Sequence, residues 1–479
     1  MRRNYTGLIL FISLIALPVP AFATELPAVV KQKLKQLAIP ESAIGVFVQE
    51  IGANQPLITV NADAAMNPAS VMKLLTTYAG LELLGPAYTW QTMLYADGAL
   101  MDGVLHGDLA IKGYGDPKLD LENFWLLIHR LRQTGLYEIR GDLILDNTHY
   151  AIPNDDPGDF DGQPYRTYNV IPEALLVNYR ASTIHFFPQP ERSEVRVAID
   201  PMPGSIQINN QLKLTHGTCG DWRNALTIDA VPDAENKNRF TVVLKGNFSS
   251  QCGKQSHMLS LQDSASYIRD LFRHLWTQQG GLFHGDAVVN RVPQGLTPLK
   301  VYQSPPLAEI VRGINKFSNN IAARQLYLAL GTGQGGDANS PATLAKSAAA
   351  VKRWLAGKQL DFPELVVENG SGLSRKERIS ARHMGQLLFA AFNSPVMPEF
   401  MSSLPIAAND GTLKNRFADS PVKGAAHMKT GALNDVRALA GYLLNKRGNR
   451  VAVVFFVNHE QAGQSRAAMD ALVQWVYER

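Results

Sequence analysis

Cysteine is scarce in this 479-residue chain, with only Cys219 and Cys252 present. The eleven histidines include no His-Glu-x-x-His, and no zinc site can be read from them. Basic runs are missing too, which excludes the electrostatic footprint of a nucleic-acid binder. The glycine-rich "GTGQGGD" (331–337) lacks the Gly-Lys-Ser/Thr of a phosphate loop and reads as a flexible loop. No low-complexity tract, internal repeat or spanning apolar segment follows the first residues.

Those first residues read as a cleaved secretory leader. Arg2 and Arg3 precede an apolar segment from Gly7 to about Val19, and Ala21-Phe22-Ala23 offers a small-x-small cleavage site. The segment is short for a membrane anchor, and Pro18 and Pro20 break it. Cleavage after Ala23 takes the formal charge from +4 to +2, with 44 basic against 42 acidic residues. In an exported chain the two cysteines read as one disulfide, two free buried thiols being the alternative.

The remaining length exceeds one ordinary domain. A strand is expected over 43–51 and a helix from Ser70, with Val71, Leu74, Leu75, Tyr78 and Leu81 on one face. From 96 to 292 the pattern turns to alternating apolar strands, "EVRVAID" and "RFTVVLKG" among them, with one helical piece at "LENFWLLIHRLRQTG". Helices return near Ser304, including a continuous one through "LAEIVRGINKFSNNIAARQLYLALG". Three apolar runs, "HMKTGAL", "ALAGYLLN" and "RVAVVFFVN", then close the chain before a last helix. The late strands and the early one can complete a single antiparallel sheet flanked by helices, which makes the middle block an insertion.

Chemistry is suggested first at "NPASVMKLLTTYAGLELLG" (67–85). Ser70 and Lys73, three apart, share a helix face, and Lys73 is the only charge between 70 and 81. A serine needs a base, and a desolvated lysine becomes one. A capping serine on a buried helix explains the same letters, and Ser-x-x-Lys recurs at Ser420 and Lys423 in a stretch without helical pattern. Two further motifs shift the balance. Ser318-Asn319-Asn320 interrupts the apolar face marked by Leu307, Val311, Ile314 and Ile321, where a core serine bonded to backbone is the alternative. Lys429-Thr430-Gly431 heads an apolar strand, where a glycine permits close backbone approach and a lysine is otherwise just solvated.

Ser-x-x-Lys, Ser-x-Asn and Lys-Thr-Gly in this order are the signature of penicillin-recognising serine enzymes. With Ser70 and Ser318 so far apart, the chain resembles the low-molecular-mass class C penicillin-binding proteins, D-alanyl-D-alanine carboxypeptidase/endopeptidases similar to penicillin-binding protein 4. "GYGDPKL" (113–119), "NGSGLSR" (369–375) and "LPIAANDGTL" (404–413) match as well. The resemblance implies an α/β penicillin-binding transpeptidase-like fold, related to serine β-lactamases, split over 24–95 and 293–479 by β-rich inserted domains at 96–292.

It also implies roles. Ser70 is acylated by the penultimate D-alanine carbonyl, Lys73 takes its proton, and Ser318 relays a proton to the departing amine. Asn320 holds the substrate peptide, while Lys429, Thr430 and Gly431 bind the terminal carboxylate. The backbone N–H groups of Ser70 and Ala432 form the oxyanion hole. No metal or other cofactor is needed. Peptidoglycan stem peptides are the substrates, β-lactams are covalent inhibitors and the periplasm is the compartment. Asn369 replaces the family's usual aspartate. The acid expected to meet a diaminopimelate side chain falls in "DDPGDFDGQPYRTYNVIPEALLVNY", where Asp159 and Asp161 are candidates. A serine β-lactamase is the rival enzyme, disfavoured by the long insertion. A silent wall-binding protein is the rival of another class, disfavoured because every motif side chain is present.

Overall fold

The computed structural model describes residues 25–153, 155–201, 204–234, 239–332 and 340–479. The expected leader at 1–23 and the 333–337 part of the glycine-rich stretch lie outside them.

Arg450–Asn458 is apolar at both parities of its period of two, so both of its faces must be covered. Ala452, Val454 and Phe456 enter one core, and Val451, Val453, Phe455 and Val457 enter another. This strand is central in a five-stranded antiparallel sheet, in the order Ala426–Leu433, Val436–Leu444, Arg450–Asn458, Ile44–Glu50, Ile58–Val60. The early strand therefore joins the late hairpins, with Val48 opposite Val453. Helices Ala28–Gln36 and Arg466–Tyr477 cover one face. On the other lie Lys73–Leu83, Leu307–Phe317, Asn320–Leu330 and Ala381–Phe392. Each fully buried Val or Phe contributes about 1.5–3 kcal/mol, so this doubly covered sheet is a stiff platform.

The chain leaves that platform at Trp90 and returns at Ser304, where the two are clipped together. Trp90 N–H donates to Ser304 Oγ (3.0 Å) and Ser304 N–H to the Trp90 carbonyl (2.9 Å). Between them Asp102-Gly103 turns a long hairpin, Gln91–Met101 with Val104–Gly113, and both turn residues adopt positive φ. This hairpin belongs to a seven-stranded mixed sheet whose outer strand is Pro298–Gln303. The sheet thus reaches past 96 and 292 on both sides, because Gln91–Met101 and Pro298–Gln303 pair with each other. Helices Leu121–Arg132 and Ser264–Gln278 pack on it.

Beyond lie two three-stranded sheets around Phe186, Trp222 and Phe248. Cys219 and Cys252 form a disulfide at their margin, 33 residues apart in sequence. Closing a loop of that length restricts the unfolded chain by about 3–4 kcal/mol. The double variant Cys219→Ala/Cys252→Ala is therefore expected to lose about 3 kcal/mol in the inserted sheets, while the five-stranded sheet holds. Hydrogen exchange of the Phe240–Ser249 amides against those of Arg450–Asn458 checks this.

Candidate active site

Ser70 lies in a 3₁₀ turn, Ala69–Met72, that runs into the α-helix Lys73–Leu83. It does not cap that helix, contrary to the structural reading of the sequence. Asn67 organises the turn instead, accepting from Ala69 N–H (2.9 Å) and donating to the Ser374 carbonyl (2.9 Å). The Asn67 backbone is in turn held by the Asn458 side chain at both N–H and carbonyl. Ala69 is forced to φ +45°, a left-handed conformation that costs a non-glycine residue about 1 kcal/mol. The turn thus leaves Ser70 Oγ free of backbone, 2.9 Å from Lys73 Nζ.

Lys73 is wholly buried. Its Nζ contacts three oxygens: Ser70 Oγ, Asn320 Oδ1 at 2.6 Å and the Ser371 carbonyl. Burial holds the amine well below the ordinary lysine value; the charge of Lys429 adds to this, and the Glu377 carboxylate opposes it. A neutral amine has two N–H bonds and one lone pair. Asn320 Oδ1 and the Ser371 carbonyl only accept, so they take the two N–H bonds and the lone pair is left for the Ser70 hydroxyl.

Lys429, for which a solvated strand end is the alternative reading of the sequence, is also fully buried, and burial lowers it to about 7. Its Nζ donates to Ser318 Oγ (2.9 Å) and to the Thr430 carbonyl (2.7 Å). Ser318 is not on the apolar face of a continuous helix. Leu307–Phe317 ends there and Asn320–Leu330 begins two residues later. Ser318 takes φ +57° as the left-handed end of the first helix, and Asn319 caps the second by accepting from Ala322 N–H (3.0 Å). The break turns Ser318 toward Lys429 and Asn320 toward Lys73, which one straight helix could not do.

The strand Ala426–Leu433 forms an edge of the sheet. Met428 N–H points outward, to the Pro405 carbonyl (2.9 Å). The period of two then places the N–H groups of Thr430 and Ala432 on the same open side. Ser70 N–H belongs to the first turn, where helical amides have no intrahelical acceptor. Gly431 has no room for a side chain, since a Cβ would stand 2.6 Å from the Pro68 carbonyl.

Ser70, Ser318, Asn320, Thr430 and Ala432 line a cleft of about 380 Å³ together with Leu373, Arg375, Thr412 and Asn434. Phe160, Asp161 and Tyr168 close it from the inserted region. Asp161 accepts from Tyr168 Oη (2.7 Å), Asn169 Nδ2 (2.8 Å) and Gln163 N–H (3.1 Å), whereas Asp159 does not line the cleft; both are exposed. Arg375 stacks over Phe160 and pairs with Asp435 at 2.9 Å. Ser420 and Lys423 lie in surface turns, Ser420 Oγ accepting locally from Val422 N–H. Sequence reasoning missed Asn67, Asn458, Ser371 and Thr412 as part of the site. The quoted stretches 369–375 and 404–413 were the signal for the last two. Among the described residues no cluster of His, Cys, Asp and Glu could hold a metal ion, and no helix is long and apolar enough to cross a membrane.

Gly372 is a tight joint beneath Ser70. At φ +78° a Cβ would stand 1.9 Å from the Ala69 carbonyl oxygen and 2.6 Å from Ser70 N. Gly372→Ala is expected to cost about 2–3 kcal/mol and to cut reaction at Ser70 by at least tenfold. Thermal unfolding and a serine-directed label, read side by side, check both effects.

The model of the D-Ala-D-Ala carboxypeptidase 3 (S13) family matches residues 26–479. The D-alanyl-D-alanine carboxypeptidase DacB of Haemophilus influenzae is 26% identical, over 98% of this chain and 96% of that protein. A D-alanyl-D-alanine carboxypeptidase of Actinomadura sp. is 28% identical, over 93% and 83%. The crystal structure of penicillin binding protein 4 from Haemophilus influenzae superposes with a TM-score of 0.76 at 24% identity, covering 93% of this chain and 99% of that one. Its complex with a β-lactam gives 0.73 at 25%, over 94% and 98%. With its sheet, its helices and the whole of its described cleft inside the matched span, the chain belongs to the D-Ala-D-Ala carboxypeptidase 3 (S13) family.

Proposed function

We infer that this D-Ala-D-Ala carboxypeptidase works through an acyl-enzyme on Ser70, with Lys73 as base. The supporting observation is the buried Lys73 amine, whose two other oxygen contacts leave its lone pair for the Ser70 hydroxyl. Ser70 Oγ attacks the penultimate D-alanine carbonyl while its proton passes to Lys73. The N–H groups of Ser70 and Ala432 stabilise the oxyanion. Collapse breaks the C–N bond as the proton held by Lys73 passes by way of Ser318 to the departing amine, which leaves Lys73 neutral again. Water then resolves the ester by the same proton path.

Asn320 holds the substrate peptide through its amide, and Lys429, Thr430 and the bare backbone at Gly431 receive the terminal carboxylate. Asp161 and Arg375, an acid and a base in one cleft, suit the zwitterionic end of a diaminopimelate side chain. The substrates are peptidoglycan stem peptides, both their D-Ala-D-Ala termini and their cross-links. A β-lactam carbonyl takes the place of the scissile one and acylates Ser70. The part of the chain before Trp90 and after Ser304 carries the chemistry, the region between them adds Phe160, Asp161 and Tyr168 to the cleft wall, and a cleaved leader delivers the enzyme to the periplasm.

Fluorescent penicillin is expected to label the folded protein in a long-lived adduct and to leave Ser70→Ala unlabelled. Equal labelling of both, or rapid release of the adduct, overturns the reading. The same pair, given monomeric and cross-linked muropeptides, separates the two hydrolytic activities by product mass. A second expectation concerns pH. Only the ammonium form of Lys429 attracts a carboxylate, and its folded pKa lies at about 7 before substrate binds. KM for a peptide ending in D-Ala-D-Ala should therefore rise as pH climbs through about 7, with kcat changing less. In Lys429→Arg, which stays charged, that rise disappears.

A further inference from the structure

Glu377 is a fully buried carboxylate that the mechanism above does not use. Its Oε1 accepts from three consecutive backbone amides, those of Glu368 (3.1 Å), Asn369 (3.0 Å) and Gly370 (2.9 Å), while Oε2 has no hydrogen-bond partner. Burial pushes the Glu377 carboxyl above its ordinary value, and the three amides converging on one oxygen oppose this by favouring the ionised form. The segment so gripped is the floor of the active site. The Gly370 carbonyl accepts from Thr76 Oγ1 (2.6 Å), the Ser371 carbonyl from Lys73 Nζ, and Gly372 abuts the Ala69 backbone. Glu377 is thus two hydrogen-bonded links from the amine, and its charge is felt there.

We propose that Glu377 is a positioning residue for Ser70 acylation, clamping the 368–372 segment beneath Lys73 and supplying the fixed negative charge against which Lys73 becomes cationic. The inference rests on the Ser70 and Lys73 reading above. When the proton leaves Ser70 Oγ for Lys73 Nζ, an ammonium forms in a site closed to water and already facing Lys429. A carboxylate held in place stabilises that ammonium without reorganising. The other groups that feel Glu377 are Arg324 and Tyr327, both on the helix Asn320–Leu330. Arg324 stays cationic and offsets part of the charge, and Tyr327 is raised above the ordinary tyrosine value and stays neutral.

Glu377→Gln separates the two roles, because the amide oxygen can keep the three backbone bonds while the charge is lost. The measurement is the second-order rate of fluorescent-penicillin acylation against pH. Removing the carboxylate lowers Lys73 further, so the acid limb is expected to move down by about one pH unit and the plateau to fall about three- to tenfold. A lower rate with an unmoved midpoint would make Glu377 merely structural and overturn the proposal, as would an unchanged profile. Glu377→Asp keeps the charge and loosens the clamp, so its rate should fall with the midpoint in place. A moved midpoint there overturns the proposal even if Glu377→Gln fails to fold. Wild-type protein that takes no label sinks the Ser70 reading and this inference with it, whereas normal Ser70 labelling with no response at residue 377 sinks this inference alone.

Discussion

A lysine amine cut off from solvent is the constraint on which the rest of this site depends. Lys73 can be buried only because three oxygens surround it, and those oxygens come from three separate parts of the chain. The 3₁₀ turn brings Ser70, the helix beginning at Asn320 brings its side chain, and the 369–375 stretch brings the Ser371 carbonyl. An unpartnered buried amine would cost several kcal/mol, so the contacts that bring these segments together are the same ones that satisfy the amine.

The second buried lysine makes that constraint harder to satisfy. Two ammonium groups this close in a desolvated space repel, and the arrangement divides their roles by environment. Lys73 faces acceptors that leave its lone pair useful, whereas Lys429 donates to Ser318 Oγ and the Thr430 carbonyl, both belonging to residues that line the cleft. Ser318 meets Lys429 and Asn320 meets Lys73 because the helix breaks between them.

Much of this was legible in the sequence. The five-stranded sheet followed from apolar runs punctuated by turn residues, and Ser70, Ser318 and Lys429 stood out by order and spacing. The break at Ser318 was hidden because the helical period continues across it, from Ile314 to Ile321, with no glycine or proline to mark it. A serine in the left-handed region is held there by its surroundings, which no local pattern reveals. Glu377 and Asn67 were hidden for another reason, since their partners are backbone groups and backbone has no letter. The choice of Asp161 over Asp159 depends on Tyr168 and Asn169 folding back onto it, a loop geometry that composition does not encode.

The outer rim of the strand Ala426–Leu433 carries one more consequence. Its first half is already occupied, Pro405 taking Met428 N–H and Ala407 N–H reaching the Ala426 carbonyl. From Thr430 onward no other backbone segment pairs with this rim among the described residues, although the Thr430 carbonyl accepts from Lys429 Nζ. An extended peptide laid along this rim can enter from one direction and must stop where the 405–407 segment begins. A strand added to this rim can therefore grow in one direction only, away from the 405–407 segment.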